Sequence, residues 1–123
     1  SDGTEARFWN DVSIFPVEVG EQAGAYLKVG ETKFLLLPAP ADCRDVPDAY
    51  RDCQVLFTTA GRLGGCKATA ADVGLVSGAG ALAPRAAALL SADGLPAYAT
   101  GGSGGLTIVT RGRGDITLRR DRP

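Results

Sequence analysis

The stretch that decides the fold is Gln54–Lys67, "QVLFTTAGRLGGCK". An apolar run, Val55-Leu56-Phe57, passes through Thr58 and Thr59 and empties into a loop with three glycines, Arg62 and Cys66. A short β-rich run that ends in glycines reads as a strand leaving the carboxyl edge of a sheet, the place where α/β proteins keep their chemistry. Working outward, Asp72–Ser77, "DVGLVS", reads as a second strand of the same kind. "LAPRAAALLSADG" (82–94) reads as a helix, with Pro84 in its first turn, an Ala/Leu body and Gly94 as its stop. "PAYA" (96–99) is a short strand, "GGSGG" a turn, and "LTIVT" with "DITLR" a closing hairpin around Arg111-Gly112-Arg113-Gly114.

Upstream of the deciding stretch, "RDVPDAYRDC" (44–53) predicts a short helix with Asp45 as its N-cap and Pro47 in its first turn. Before it the pattern is β throughout. "EARFW", "VSIFPVEV", "AYLKV" and "KFLLL" form a meander, with Gly30-Glu31-Thr32 as one hairpin loop. Pro16 inside the second run predicts an edge position or a bulge. Strands alternate with helices over 33–99, which requires parallel neighbours, and the two ends are antiparallel. The expected fold is therefore α/β of the mixed α+β kind: one domain over 1–123, a mixed sheet and two main helices. Two helices cannot cover both faces of such a sheet, so one face is expected to stay partly bare.

Composition excludes several chemistries. The chain holds 13 Lys+Arg, 14 Asp+Glu and no histidine. Ser-His-Asp and Cys-His machinery and His-ligated zinc are thereby removed. Cys43, Cys53 and Cys66 form no CxxC pair, which argues against a four-thiolate zinc site. If a bridge forms it joins Cys43 to Cys66, because both follow carboxyl ends of parallel strands, whereas Cys53 is expected about 17 Å away at the far end of a five-residue strand. Free, partly buried thiols are the leading reading. Gly61–Ala68 lacks the GxxxxGK[ST] spacing of a P-loop, and Ala68 stands where the magnesium-binding hydroxyl would be. Asp42, Asp45, Asp48 and Asp52 cluster along the expected helix and could hold a hard cation, but Arg44 and Arg51 interleave with them, so ion pairs are the simpler expectation.

No stretch approaches the ~20 apolar residues that span a bilayer. Charge is uneven along the chain. Residues 1–110 carry a net −4 (8 Lys+Arg, 12 Asp+Glu). Residues 111–123 carry a net +3, from Arg111, Arg113, Arg119, Arg120 and Arg122 against Asp115 and Asp121. A basic tail of this kind can touch phosphate, and these five arginines are the nucleic-acid candidates. Arg113-Gly114-Asp115 also spells the adhesion tripeptide RGD at an expected hairpin tip.

Four segments together carry a family resemblance. "VGETKFLLLPAP" (29–40) resembles a strand that ends in a Gly-Asp metal motif. "CQVLFTTAGRL" (53–63) resembles "DVLKVGHHGS", and "DVGLVSGAGALAPRAAALL" (72–90) resembles the strand and helix around a Gly-His-Pro motif. "GLPAYATGGSGGLTIVTRGRGDITL" (94–118) resembles the closing strands. The order is similar to the second half of the metallo-β-lactamase-like domain at the carboxyl end of ComEC-type competence proteins, which are bacterial DNA-uptake membrane proteins. The resemblance implies half of an αββα sandwich, a plasma-membrane parent chain, and this domain as a soluble part outside the membrane core. The metal ligands of the family fall on Ala39, Ala60, Gly61 and Ala81, so it implies no catalytic residue, no metal and no cofactor here. The function it implies is a non-catalytic tail with a structural or DNA-binding role. The alternatives are a residual metal-dependent hydrolase or nuclease using the four aspartates, and a protein-interaction module, itself able to oligomerise, that uses the bare sheet face. No small-molecule substrate follows from the sequence.

Overall fold

A computed structural model describes the backbone of residues 6–9, 12–78, 80–100 and 106–120, and the side chains over 12–78, 80–100 and 110–117. The strands are β1 (Ala6–Trp9), β2 (Val12–Val19), β3 (Gln22–Val29), β4 (Thr32–Leu36), β5 (Ala41–Asp42), β6 (Val55–Thr59), β7 (Leu63–Gly64), β8 (Val73–Ser77), β9 (Ala97–Ala99), β10 (Leu106–Val109) and β11 (Thr117–Arg120), with one α-helix, α1 (Leu82–Ala92). Seven strands form a mixed sheet in the order β1-β2-β3-β4-β6-β8-β9, and β10-β11 and β5-β7 make two small sheets. The β1–β4 half is antiparallel, and β4, β6, β8 and β9 run parallel. The α+β class, the meander and the parallel middle are those expected from the sequence.

Two near-identical turns build the meander. Val19-Gly20-Glu21-Gln22 and Val29-Gly30-Glu31-Thr32 each close a two-residue loop, with Val19 opposite Gln22 and Val29 opposite Thr32. Gly20 and Gly30 both have φ +60°, while neither glutamate has a positive φ. Glycine first in a two-residue loop is the type II′ arrangement, whose twist suits the flanking strands. Pro16 costs little because the described β1 pairs with β2 only over Val12–Ile14. Among the described residues no ladder partner there lacks a proline N–H.

The two-helix expectation is corrected. Residues 44–53 form no α-helix but two single turns of 3-10 helix, Cys43–Asp45 and Asp48–Tyr50. The break falls at Val46-Pro47: Val46 is extended (φ −71°, ψ 130°). A residue before proline is pushed out of the helical region by the ring. The N-cap is also displaced. Asp42, not Asp45, caps the first turn by accepting the Arg44 N–H, so the four aspartates do not share one helical face.

α1 follows its sequence pattern. Ala83, Ala86, Ala87 and Leu90 are buried, the i, i+3, i+4, i+7 stripe of a helix lying on a core, and the helix rests on β8 and β9. It ends at Gly94, φ +101°, with Leu95 N–H on Leu90 C=O and Gly94 N–H on Ser91 C=O. This pair of bonds satisfies carbonyls that the helix end would otherwise leave unpaired.

The sheet therefore has two unlike faces. On the helix side, Leu35, Leu37, Leu56 and Val76 join Val17, Val19, Tyr26, Val46, the three cysteines and α1 in one core cluster. On the other side, Phe34, Val55, Val73 and Leu75 form a smaller cluster, joined by Leu27, Val29, Phe57 and Ile116. The loop between β10 and β11 is seated over one end of this second face. Glu31 N–H donates to Gly112 C=O at 2.6 Å. The fully buried Thr32 hydroxyl meets the Thr110 hydroxyl at 2.7 Å and accepts the Gly114 N–H at 2.9 Å. Among the described residues the opposite end, at the carboxyl ends of the parallel strands, stays open, with Leu36 38 % and Tyr98 45 % exposed. The expected bare face is thus present, reduced to one end.

Candidate functional site

The loops that leave β4 and β6 meet at this open end. Ala39 N–H donates to the Thr59 hydroxyl at 3.0 Å, and Ala60 N–H donates to Ser77 C=O at 2.7 Å. A Cβ added to Gly61 would stand 3.0 Å from the Ala39 methyl, and one added to Gly78 would stand 2.7 Å from the Ala60 methyl. Three of the four positions to which the resemblance assigns metal ligands, Ala39, Ala60 and Gly61, are therefore brought together. Ala81 is the exposed N-cap residue of α1. Methyl groups and glycine hydrogens neither ligate a metal nor carry a proton. The contacts also leave no room for a larger side chain at Gly61 or Gly78 without movement of the neighbour.

The acidic cluster is divided among cations. Asp42 accepts the Arg44 guanidinium in a fork, with Nε at 2.9 Å from Oδ1 and Nη2 at 2.5 Å from Oδ2. Asp48 pairs with Arg51 at 3.1 Å, and Asp52 pairs with Lys33 at 2.7 Å. Asp45 is exposed. Among the described residues no group of three or more His, Cys, Asp or Glu is placed to hold a metal ion. Hydrogen bonds from the Arg44 side chain, then its backbone N–H, hold the Asp42 carboxyl down at about 2. The stabilisation this gives is present above the ordinary value of 3.8 and is lost as pH falls from there through about 2. Carbon-detected NMR titration should place the Asp42 midpoint near the lower value, and Arg44→Ala should move it partway back toward the ordinary value, since the Arg44 backbone N–H remains.

Cys43, Cys53 and Cys66 are all buried free thiols. All three belong to the helix-side core cluster, because residues 43–53 cross that core instead of rising clear of it as a helix. Burial pushes the Cys43 and Cys53 thiols up to about 12, and burial also raises Cys66. A neutral buried thiol is a poor nucleophile. The native protein should be nearly inert to a thiol-reactive disulfide reagent at about pH 8, and unfolding in denaturant should release three reactive thiols. Unfolded thiols ionise from about 9 while Cys43 and Cys53 stay protonated to about 12. Stability is therefore full below 9 and falls as pH rises from 9 toward 12, a slope that Cys53→Ala should flatten in urea titrations.

The basic segment is less free than its composition suggests. Asp115 accepts the backbone N–H groups of Arg111 (3.3 Å) and Arg113 (3.2 Å) and the Arg111 Nε (3.2 Å). Partial desolvation of Asp115 opposes these bonds, but the Arg113 and Arg111 donors hold its carboxyl below the usual range. The RGD carboxylate is thus turned onto its own loop, which removes the geometry an adhesion motif needs. Arg113 remains exposed. Arg119 and Arg120 take register positions in β11 opposite Thr107 and Leu106, and Arg122 lies outside the described residues.

One feature of the open end escaped the sequence reading. A groove of about 520 Å³ runs along it, lined by Leu36, Pro38, Phe57, Thr59, Leu75 and Ser77 among others. Its only signal in the sequence is that "LFTT" and "GLVS" place apolar and hydroxyl residues two apart, and this means nothing until the strand register is known. Compared with known proteins, the chain shows no significant match to any family model, curated protein or solved structure.

Proposed function

We propose that this chain is a non-catalytic module of the metallo-β-lactamase-like kind, serving as a structural and DNA-contacting part of a DNA-uptake protein whose parent chain lies in the plasma membrane. The observation that carries the reading is the meeting of Ala39, Ala60 and Gly61 at the carboxyl ends of parallel strands. A loop cluster at the carboxyl ends of parallel strands is filled by methyl-to-glycine contacts, which supports a frame without ligating groups. Among the described residues no helix is long and apolar enough to cross a membrane, so membrane attachment in this reading belongs to other parts of the parent. DNA contact would fall to Arg111, Arg113, Arg119, Arg120 and Arg122.

Gel retardation of labelled single- and double-stranded DNA tests the binding. Each phosphate contact contributes about −0.9 to the slope of log affinity against log salt on duplex DNA. Five contacts set a limit of about −4.5, and Arg111, already paired with Asp115, favours a smaller value. Replacing the five arginines by glutamine should abolish the shift. No shift at low ionic strength overturns the DNA-contacting role, and metal-dependent nuclease turnover with manganese overturns the non-catalytic one.

A further inference from the structure

The groove at the open end has an order that follows from strand register. Leu36 lies opposite Phe57, and Phe57 opposite Leu75, so three apolar side chains make one row across β4, β6 and β8. Two residues further along, about 7 Å away at strand spacing, Thr59 lies opposite Ser77 on the same face and makes a row of two hydroxyls. Leu75 forms a floor that is 1 % exposed, and Leu36 forms a mouth that is 38 % exposed. Among the described residues no charged side chain lines the groove. The Thr59 hydroxyl already accepts the Ala39 N–H. A hydroxyl has one hydrogen to give, and among the described residues none accepts that of Thr59, which suits it to an acceptor on a ligand.

The geometry points to this groove as a binding site for a neutral, largely apolar small molecule with one hydrogen-bonding group at one end. The apolar body lies along Leu36, Phe57 and Leu75, and the polar end meets Thr59 and Ser77. A charged ligand is disfavoured, because an ion would lose water with no opposite charge to receive it. The volume, about 520 Å³, falls within the ~300–1,000 Å³ of small-molecule sites. The position, beyond the carboxyl ends of parallel strands, is where open α/β sheets receive ligands. This site does not depend on the arginines of the DNA-contacting reading, so either can fail without the other.

The test uses 2-naphthol and naphthalene as neutral probes, followed by fluorescence titration and by NMR shifts. The expected result is saturable binding with shifts gathered at Leu36, Phe57, Thr59, Leu75 and Ser77. 2-Naphthol should bind about fivefold tighter than naphthalene, the worth of one net hydrogen bond. Leu36→Lys, at an exposed position that should leave the thermal midpoint unchanged, should weaken both probes at least about tenfold. Thr59→Val should erase the preference for the naphthol, and Ser77→Ala provides the same readout if Thr59→Val disturbs the fold. The proposal is overturned by non-saturable binding, by shifts that map elsewhere, by affinity indifferent to Leu36→Lys, or by a probe-free dimer that occupies the same residues.

Discussion

Gly30→Ala is expected to destabilise the protein by about 3 kcal/mol, about twice the effect of Gly20→Ala, in urea unfolding at neutral pH. The two glycines begin matching Val-Gly-Glu turns with the same φ of +60°. Both changes therefore incur the same left-handed backbone cost, about 1–2 kcal/mol. Their surroundings differ. A Cβ on Gly20 meets nothing within 4 Å, whereas one on Gly30 would stand 2.5 Å from Gly112 C=O and 3.0 Å from its Cα. Backbone cannot rotate aside as a side chain can, so Gly30→Ala must lift the Thr110–Asp115 loop off the β3-β4 turn. That movement breaks the Glu31 N–H bond to Gly112 C=O and the Thr32 hydroxyl contacts. It leaves Thr32, buried at 0 % exposure, without its partners. Hydrogen exchange should then accelerate at Glu31 and Gly114 in the Gly30 variant and not in the Gly20 variant. Equal destabilisation by the two changes would show that the loop is not seated on the turn.

Leu56→Ala should cost about 3 kcal/mol and lower the thermal midpoint by about 12 °C. Leu56 is 0 % exposed in β6, between β4 and β8, with Leu35 and Gly74 opposite it in the ladders. It belongs to the helix-side cluster, where α1, the cysteines and the 3-10 turns all converge. Loss of its side chain leaves a cavity that neighbours on both strands are too constrained to fill. Leu36→Ala, one strand over and 38 % exposed, should cost less than about 1 kcal/mol. Comparable losses at the two positions would contradict the assignment of Leu56 to the core and Leu36 to the open end.

Much of the fold was legible in the sequence because it is written in local patterns. β2, β3, β6, β8 and α1 fall where alternation, glycine turns, Pro84 and Gly94 put them. The parallel middle followed from strands separated by long connections. That the aspartates form ion pairs with Arg44 and Arg51 followed from interleaved charge, though which pairs form did not. What failed was set by context or distance. Residues 44–53 have helical composition, but the effect of Pro47 on Val46 outweighs it. That Cys43 and Cys53 share one core cluster depends on the path that segment then takes. The seating of Gly112 against Gly30 joins residues about eighty positions apart through backbone atoms, which leave no trace in side-chain pattern. The β5-β7 pair, two residues each, is too short for any periodicity. The groove depends on register, which matches Leu36 to Phe57 and Thr59 to Ser77 only once the ladder is built.

The division of the large sheet into an antiparallel half and a parallel half has a consequence for how the chain comes off the ribosome. β2, β3 and β4 are joined by two-residue turns, and hairpins of that kind close in about 1–10 μs. They can be complete while the rest is still being made at about 5–20 residues per second. β6, the partner of β4, does not begin until Val55. For a second or more the nascent meander therefore ends in an unpaired strand bearing Phe34, Leu35 and Leu36, with Lys33 as its one charge. A bare apolar edge is a template for pairing with other chains. The same meander that gives the finished protein its most local contacts is, during synthesis, the segment most in need of a chaperone.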